Sequence, residues 1–506
     1  MAKEKIVKTK AAETAERPPV VVVMGHIDHG KSALLDFIRQ TNVVAGEAGS
    51  ITQHLSAYEV ALDRENKTKK ITFLDTPGHA AFTNMRELGS LIADIAILVV
   101  SAEEGVKTQT LEALGSIKNA GIPYIVAINK IDRPNANIEK TKQDLAENNI
   151  LIESYGGKIP AVNISAKTGA GIDELLDMIL LVSELEELAG GRPIAATGFV
   201  LEAGRDPKTG TAVTLIIKDG TLHTGDFVVI GRQLAKVKRL EDFLGQTIKE
   251  ASFSSPVRVF GFTETPAGGE VFITFHHKKE AENYLKEIGQ PATEKIDDEI
   301  KASDDKVIIP LVLKADTLGT LEAVQREIAK QNLDNIRLKT VQSGIGALNE
   351  NDIRILTGSN GALALGFNVK VDATATDIAE RFDITVQTFD IIYKLSEWLA
   401  EEMERRRPRI ETEISTGKIK ILKLFSSTKN KFILGGKVIE GKISKADRGK
   451  IWRRELIIGQ GKIAGLQVNK LEVTEVEAGN ECGLLLETKS AIAPGDVLET
   501  FIIESK

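Results

Sequence analysis

Val20-Val21-Val22-Val23-Met24-Gly25-His26-Ile27-Asp28-His29-Gly30-Lys31-Ser32 decides the fold. Val20 to Met24 are apolar and mostly β-branched, which predicts a buried strand of a parallel sheet. Gly25 to Ser32 fit G-x-x-x-x-G-K-S, and Leu34, Leu35 and Ile38 continue at helical spacing. Strand, glycine-bounded loop and helix together make a phosphate-binding loop. Gly25 and Gly30 let the loop turn its N–H groups toward phosphate oxygens. The start of the helix adds its positive end. Lys31 can reach the outer phosphates, and the Ser32 hydroxyl can ligate Mg²⁺. Within the loop, His26 and His29 read as structural. Asp28, an anion beside phosphates, calls for a cation or backbone donors as company.

The rest of the chain limits what this loop can serve. At 506 residues there is room for three or four domains with separate cores. Hydrophobic content of 42% and charged content of 27% suit a globular protein, and a net charge of −7 announces no global affinity for nucleic acid. Cys482 is the one cysteine, so no disulfide closes within the chain, which suits a reducing, cytoplasmic setting. The seven histidines show no metal-ligand spacing, and no apolar run is long enough for a membrane span. Residues 1–17 mix lysines with glutamates and read as a disordered lead-in.

Residues 18–190 alternate strands (71–74, 95–100, 124–128, 161–164) with helices (34–40, 108–119, 172–188). This predicts a doubly wound parallel sheet with ligand loops at the strand carboxyl ends. Gly190-Gly191-Arg192-Pro193 reads as a linker. Short strands between Gly, Asp and Pro turns predict a β-barrel over 194–290. Residues 306–388 return to an α/β/α pattern, 389–410 read as a connecting helix, and 411–506 as a C-terminal β-barrel.

Three further motifs end predicted strands in the same domain. In Asp75-Thr76-Pro77-Gly78-His79 the aspartate can hold Mg²⁺ through water, and the Gly78 N–H can face a γ-phosphate. His79 stands where a water-orienting residue belongs. In Asn129-Lys130-Ile131-Asp132 the carboxylate can accept from N1–H and the 2-amino group of guanine, a donor pair that adenine lacks. Ser165-Ala166-Lys167 can offer a backbone N–H to the guanine O6. In this order the motifs describe a guanine nucleotide site. Thr52 lies between the phosphate loop and Asp75 and can close onto Mg²⁺. Farther on, residues 418–470 carry fourteen Lys/Arg against three Asp/Glu, a net of +11 that predicts an RNA-binding face. Trp452 there can stack a base or cover the barrel.

These residues resemble a known family. Arg17-Pro18-Pro19 and the stretch to Ser32 are similar to the opening of the GTPase domain of bacterial translation initiation factor 2. Gly49-Ser50-Ile51-Thr52-Gln53-His54 and the three strand-end motifs resemble its other nucleotide motifs. Gly344-Ile345-Gly346-Ala347-Leu348-Asn349, Leu365-Gly366-Phe367-Asn368-Val369 and Ile391-Ile392-Tyr393 resemble its third domain, and Gly479-Asn480-Glu481-Cys482-Gly483 its last. The likeness covers residues 17–506, in a form without a long N-terminal extension, since 19 residues precede the first strand. It implies a monomeric GTPase that binds GTP, GDP and Mg²⁺ and brings formylmethionyl initiator tRNA to the small ribosomal subunit. It also implies partnership with other initiation factors, subunit joining, and hydrolysis triggered by the large subunit. His79 would position the attacking water, with Ile27 and Ile51 as an apolar gate. Ser32, Thr52 and Asp75 would serve the metal. Glu481, Cys482 and Gly483 would line the formylmethionyl pocket. Two departures weaken that pocket: Gln467-Val468-Asn469-Lys470 stands where Lys-Arg-aromatic-Lys is usual, leaving Lys470, and Gly436 replaces a common cysteine.

Two other readings fit parts of the pattern. One is an elongation-factor-like carrier of aminoacyl tRNA, which would have two consecutive barrels. The other is a non-hydrolysing RNA-binding module with a degenerate GTPase domain.

Overall fold

A computed structural model describes residues 14–39, 52–64, 67–192, 194–206, 210–288, 307–331, 336–359, 361–407, 411–428 and 430–505. They fall into two compact units, divided between Arg405 and Arg406.

The first unit opens with a six-stranded sheet. Its strands are β2 (Val20–Gly25), β3 (Ser56–Arg64), β4 (Lys67–Asp75), β5 (Ile95–Ser101), β6 (Tyr124–Asn129) and β7 (Ala161–Asn163), in the order β3-β4-β2-β5-β6-β7. All pair in parallel except β3 with β4. β2 is buried along its whole length, as a strand covered on both faces must be. Helices α1 (Lys31–Arg39), α2 (Thr83–Ile92), α3 (Thr108–Ala120), α4 (Ile138–Glu147) and α5 (Ile172–Leu185) complete the domain. Of these elements, β3, α2 and α4 had no sequence expectation. α4 buries Thr141 and Leu145, and α2 buries Arg86, Gly89 and Ser90 beside Met85 and Ile92.

The chain before β2 differs from expectation where it is described. Thr14–Glu16 is a strand, β1, paired antiparallel with β8 (Ala189–Gly191), so the glycine pair read as a linker is half of a small sheet. An ion cluster follows directly after this strand. Both guanidinium arms of Arg17 donate to Asp94 at 2.7 Å, and Lys218 of the barrel donates to the same carboxylate at 2.7 Å. Asp94 also accepts from the Val20 N–H at 2.9 Å. The three side chains are 10%, 9% and 18% exposed. Burial brings the Lys218 ammonium down to about 8. Although burial pushes the Asp94 carboxyl up, its bond from Arg17 and the charge of Lys218 leave it below its ordinary range. Asp94→Asn strands two buried cations, so we expect a loss of about 3–5 kcal/mol. The check is the urea midpoint of this unit; a loss below about 1 kcal/mol means that water screens the cluster.

A barrel follows. Strands between Thr197 and Phe275 form an eight-stranded sheet around Val213, Leu215, Ile217 and Phe272, and α6 (Lys278–Glu287) closes it. The third module is a four-stranded parallel sheet in the order Ile336–Ile345, Val307–Ala315, Leu363–Phe367, Thr385–Phe389. It carries α7 (Leu318–Lys330), α8 (Glu350–Arg354), α9 (Ala373–Arg381) and α10 (Ile392–Arg405). A parallel sheet here excludes the two consecutive barrels of the carrier reading. The helix expected from residue 389 starts at Ile392, because Phe389 still pairs in the sheet with Phe367. Ile392, Leu395, Leu399 and Met403 sink into the module's core, which also takes Phe82 and Met85 of the first domain.

The second unit is an antiparallel barrel built on Ile419, Leu434, Val438, Ile463 and Leu484. It dilutes the basic stretch. Residues 411–506 hold sixteen Lys/Arg against thirteen Asp/Glu, a net of +3 rather than the +11 of 418–470 alone. Strand pairing sets acids from outside the stretch beside its cations: Lys431 on Glu487, Lys442 on Glu475, Lys450 on Glu413 and Arg453 on Asp496. The indole N–H of Trp452 donates to Glu499 at 2.9 Å, so its polar edge faces the barrel.

Candidate nucleotide-binding site

The loop between β2 and α1 leaves the carboxyl end of the sheet beside β5. Gly25 has φ +146°, and a Cβ there would meet the Val99 carbonyl oxygen at 2.4 Å, so only glycine permits the turn. Lys31 is buried, and its Nζ donates to the carbonyls of Gly25 at 3.0 Å and His26 at 2.8 Å. Burial brings this ammonium down to about 8. A Cβ on Gly78 would meet Lys31 Nζ at 2.6 Å, which brings the second motif onto the first. His29 is fully buried with Nδ1 3.3 Å from the Val99 carbonyl oxygen. Burial drops its pKa to about 3, so it is a neutral packing group. Asp28 is exposed.

Ser32, Thr52 and Asp75 meet. Ser32 Oγ lies 3.0 Å from Thr52 Oγ1, and Thr52 Oγ1 donates to Asp75 Oδ2 at 3.3 Å. Two hydroxyls and a carboxylate are hard oxygen donors, and they are too few for an all-protein cage. That set fits Mg²⁺, which takes its remaining oxygens from phosphate and water. No cluster of three or more His, Cys, Asp or Glu side chains suited to a metal ion occurs among the described residues. Residues 49–51, including Ile51 of the expected gate, lie outside the described residues.

The third and fourth motifs are tied to the phosphate loop and to each other. Asn129 Nδ2 donates to the His29 carbonyl at 2.9 Å, and its Oδ1 accepts from the Ala166 N–H at 3.0 Å. Both ends of the amide thus serve as joinery. Asp132 accepts from Ser165 Oγ at 2.7 Å, and that bond holds its carboxyl below the usual range. The Ile131 N–H donates to the Ile164 carbonyl at 3.4 Å, and Lys130 takes φ +65° with Nζ near Glu103 and Glu104. Asp132 and Lys167 are exposed at the rim.

Thr76 Oγ1 donates to the Val23 carbonyl at 2.8 Å, locking the second motif to β2. Arg86, which the sequence reading passed over, then pins the loop. Its Nη1 lies 3.5, 3.3 and 2.6 Å from the carbonyl oxygens of Pro77, Gly78 and His79, and its Nη2 reaches Glu112 at 3.1 Å. His79 accepts at Nδ1 from the Ala81 N–H at 3.0 Å, and burial lowers its pKa.

Gln53 is the second residue missed. It is buried beside Thr52, and its amide Nε2 donates to the Asp390 carbonyl at 2.7 Å. Its Oε1 accepts from the Ile392 N–H at 3.1 Å, one of the donors that the first turn of α10 leaves open. His54 adds contacts to Glu202 at 3.6 Å and Asp316 at 3.4 Å. Gln53→Leu leaves those backbone groups without the amide, so we expect a loss of about 1–3 kcal/mol. It reads as a lower urea midpoint with faster amide exchange at Ile392; no change in either would mean that the amide carries no weight.

In the second unit, Cys482 pairs across the sheet with Gly436, and Gly483 pairs with Gly435 and with Gln467. The two halves of the expected pocket are therefore adjacent. Cys482 is buried and its thiol is pushed up to about 11, while Glu481 and Lys470 are exposed.

Comparison with known proteins follows the same module order. Residues 16–184 match the family model "Elongation factor Tu GTP binding domain", 195–275 "Elongation factor G domain 2", and 282–400 "Translation-initiation factor 2". Translation initiation factor IF-2 of Bacillus pumilus is 39% identical over 513 residues, covering 98% of this chain and 71% of the relative. That of Bacillus subtilis is 40% identical over 500 residues, covering 96% and 69%. That of Desulforamulus reducens is 39% identical over 500 residues, covering 97% and 50%. The chain thus spans half to about seven-tenths of the length of these relatives. The crystal structure of GDP-bound aIF5B from Aeropyrum pernix is similar at 28% identity, with TM-score 0.44, covering 96% of this chain and 92% of that one. With four strand-end motifs gathered at one sheet edge and identity running through every module, this chain belongs to the translation initiation factor IF-2 family.

Proposed function

We propose that this chain is a GTP-dependent translation initiation factor. It places formylmethionyl initiator tRNA on the small ribosomal subunit, promotes joining of the large subunit and hydrolyses GTP on the ribosome, as a monomer in the cytoplasm alongside other initiation factors. The observation that carries the reading is the meeting of Ser32, Thr52 and Asp75 beside Lys31.

Asp132, oriented by Ser165, reads the guanine edge, and the Ala166 N–H borders the O6 position. Lys31 exchanges its two carbonyl partners for phosphate oxygens, a stronger pairing because both sides are charged. Ser32, Thr52 and Asp75 are the residues that would hold Mg²⁺, which when bound would supply charge neutralisation at the phosphates. Gly78 presents its N–H to the γ-phosphate, so Thr52 and Gly78 both sense its presence. His79 orients a water for attack on the γ-phosphorus; the bond to the bridging oxygen breaks, leaving GDP and inorganic phosphate. The second unit takes the formylated end of the tRNA at Glu481, Cys482 and Gly483. Removing the α-amino charge by formylation lets that end approach a partly apolar setting without the cost of desolvating a charge.

The test is single-turnover GTP hydrolysis by the whole chain, alone and with small and large ribosomal subunits. Slow turnover alone and fast turnover with both subunits is expected. Equal rates in all mixtures would refute the reading and favour the non-hydrolysing module.

A further inference from the structure

His79 is held on a part of the molecule that its proposed chemistry does not use. Its ring meets Tyr393 edge to face, with centroids 4.5 Å apart and planes at 86°. Tyr393 sits on the first turn of α10 and is 40% exposed. The charges acting on the imidazole include Glu327 and Lys330, both on α7 of the same module. The ring is therefore docked toward the third module.

Its hydrogen bonding in this position has a consequence. Nδ1 accepts from the Ala81 N–H, so a neutral ring carries its proton on Nε2. Protonation would add a second donor and no acceptor. Docked in this way, the imidazole can donate but cannot accept a hydrogen bond from a water. The same turn of α10 also receives Gln53, the neighbour of Thr52, through Asp390 and Ile392. Two loops of the nucleotide site thus rest on residues 390–393.

We propose that Tyr393 is a positioning residue for hydrolysis: it clasps His79 in this docked, donor-only orientation and so keeps the isolated chain slow. The inference rests on the proposed role of His79. Release of the ring from Tyr393 and from the Ala81 N–H frees an acceptor nitrogen for the attacking water. A ring–ring contact of this kind shifts a population by about two- to tenfold, which sets the size of the effect.

The experiment reads single-turnover GTP hydrolysis by the full chain without ribosomes. Tyr393→Leu is expected to raise the rate about two- to tenfold at unchanged GTP affinity. Tyr393→Phe keeps the ring contact and should keep the parent's slow rate. Tyr393→Leu combined with His79→Ala should lose the gain. In ¹³C-histidine-labelled chain, the His79 ring resonance, assigned by its loss in His79→Ala, should move in Tyr393→Leu and stay in Tyr393→Phe. An unchanged or lower rate in Tyr393→Leu overturns the clasp, as does a gain that survives His79→Ala. Failure of the parent to respond to ribosomes would instead overturn the proposed function, and is measured separately.

Discussion

His79→Ala should bind GTP with an affinity within about threefold of the parent and lose ribosome-stimulated hydrolysis by about 10²- to 10⁴-fold. The separation follows from the site. GTP binding is assigned to the phosphate loop, Lys31, the Ser32–Thr52–Asp75 group and Asp132, whereas the His79 ring packs on Tyr393. Orienting a water lowers only the transition state, so the change belongs in turnover and not in affinity. Removing the ring leaves Arg86 on the three carbonyls of the loop, which keeps the backbone in place. Rapid-quench measurement with both ribosomal subunits gives the rate, and a fluorescent guanine nucleotide gives the affinity. Normal stimulated turnover in the variant would leave His79 a packing residue and would also remove the basis of the Tyr393 clasp.

Asp132→Asn is expected to weaken GTP binding on the order of 10²- to 10⁴-fold. The carboxylate offers two acceptor oxygens to two guanine donors, and the amide offers one oxygen and one N–H. Ser165 Oγ already occupies part of the Asp132 Oδ1 acceptor capacity and holds the plane of the group. An amide in that plane presents a donor where guanine presents its 2-amino group, a clash of like polarity. Xanthosine triphosphate, with a carbonyl at that position, should bind the variant better than GTP does. Equilibrium titration with both nucleotides decides. Unchanged GTP affinity, or no preference for the xanthine base, would remove Asp132 from the base-reading role.

Much of the site was legible in the chain because it is written in local order. The phosphate loop, Asp75-Thr76-Pro77-Gly78-His79, Asn129-Lys130-Ile131-Asp132 and Ser165-Ala166-Lys167 each follow an apolar strand, and a parallel sheet carries all strand ends to one edge. That ordering determined the α/β domain and which loops the sheet gathers at its carboxyl end. It also separated the α/β third module from the barrels on either side, since helical and strand periods differ within a few residues.

What only the tertiary structure decided lies between residues far apart. Gln53 and Asp390 are 337 positions apart, and neither sits in a periodic pattern that would mark a partner. Arg86 points inward from a helix whose apolar period its own burial interrupts. Residues 14–16, whose composition reads as disordered, form a strand because their partners lie at 189–191, and the adjoining Arg17 meets Asp94 and the barrel's Lys218 only in the fold. The basic stretch at 418–470 reverses the lesson: its charge is real in the chain, but strand pairing brings up acids from either side. Charge adds along a window of sequence, whereas a folded surface adds it through space, and only the register of the strands says which charges meet.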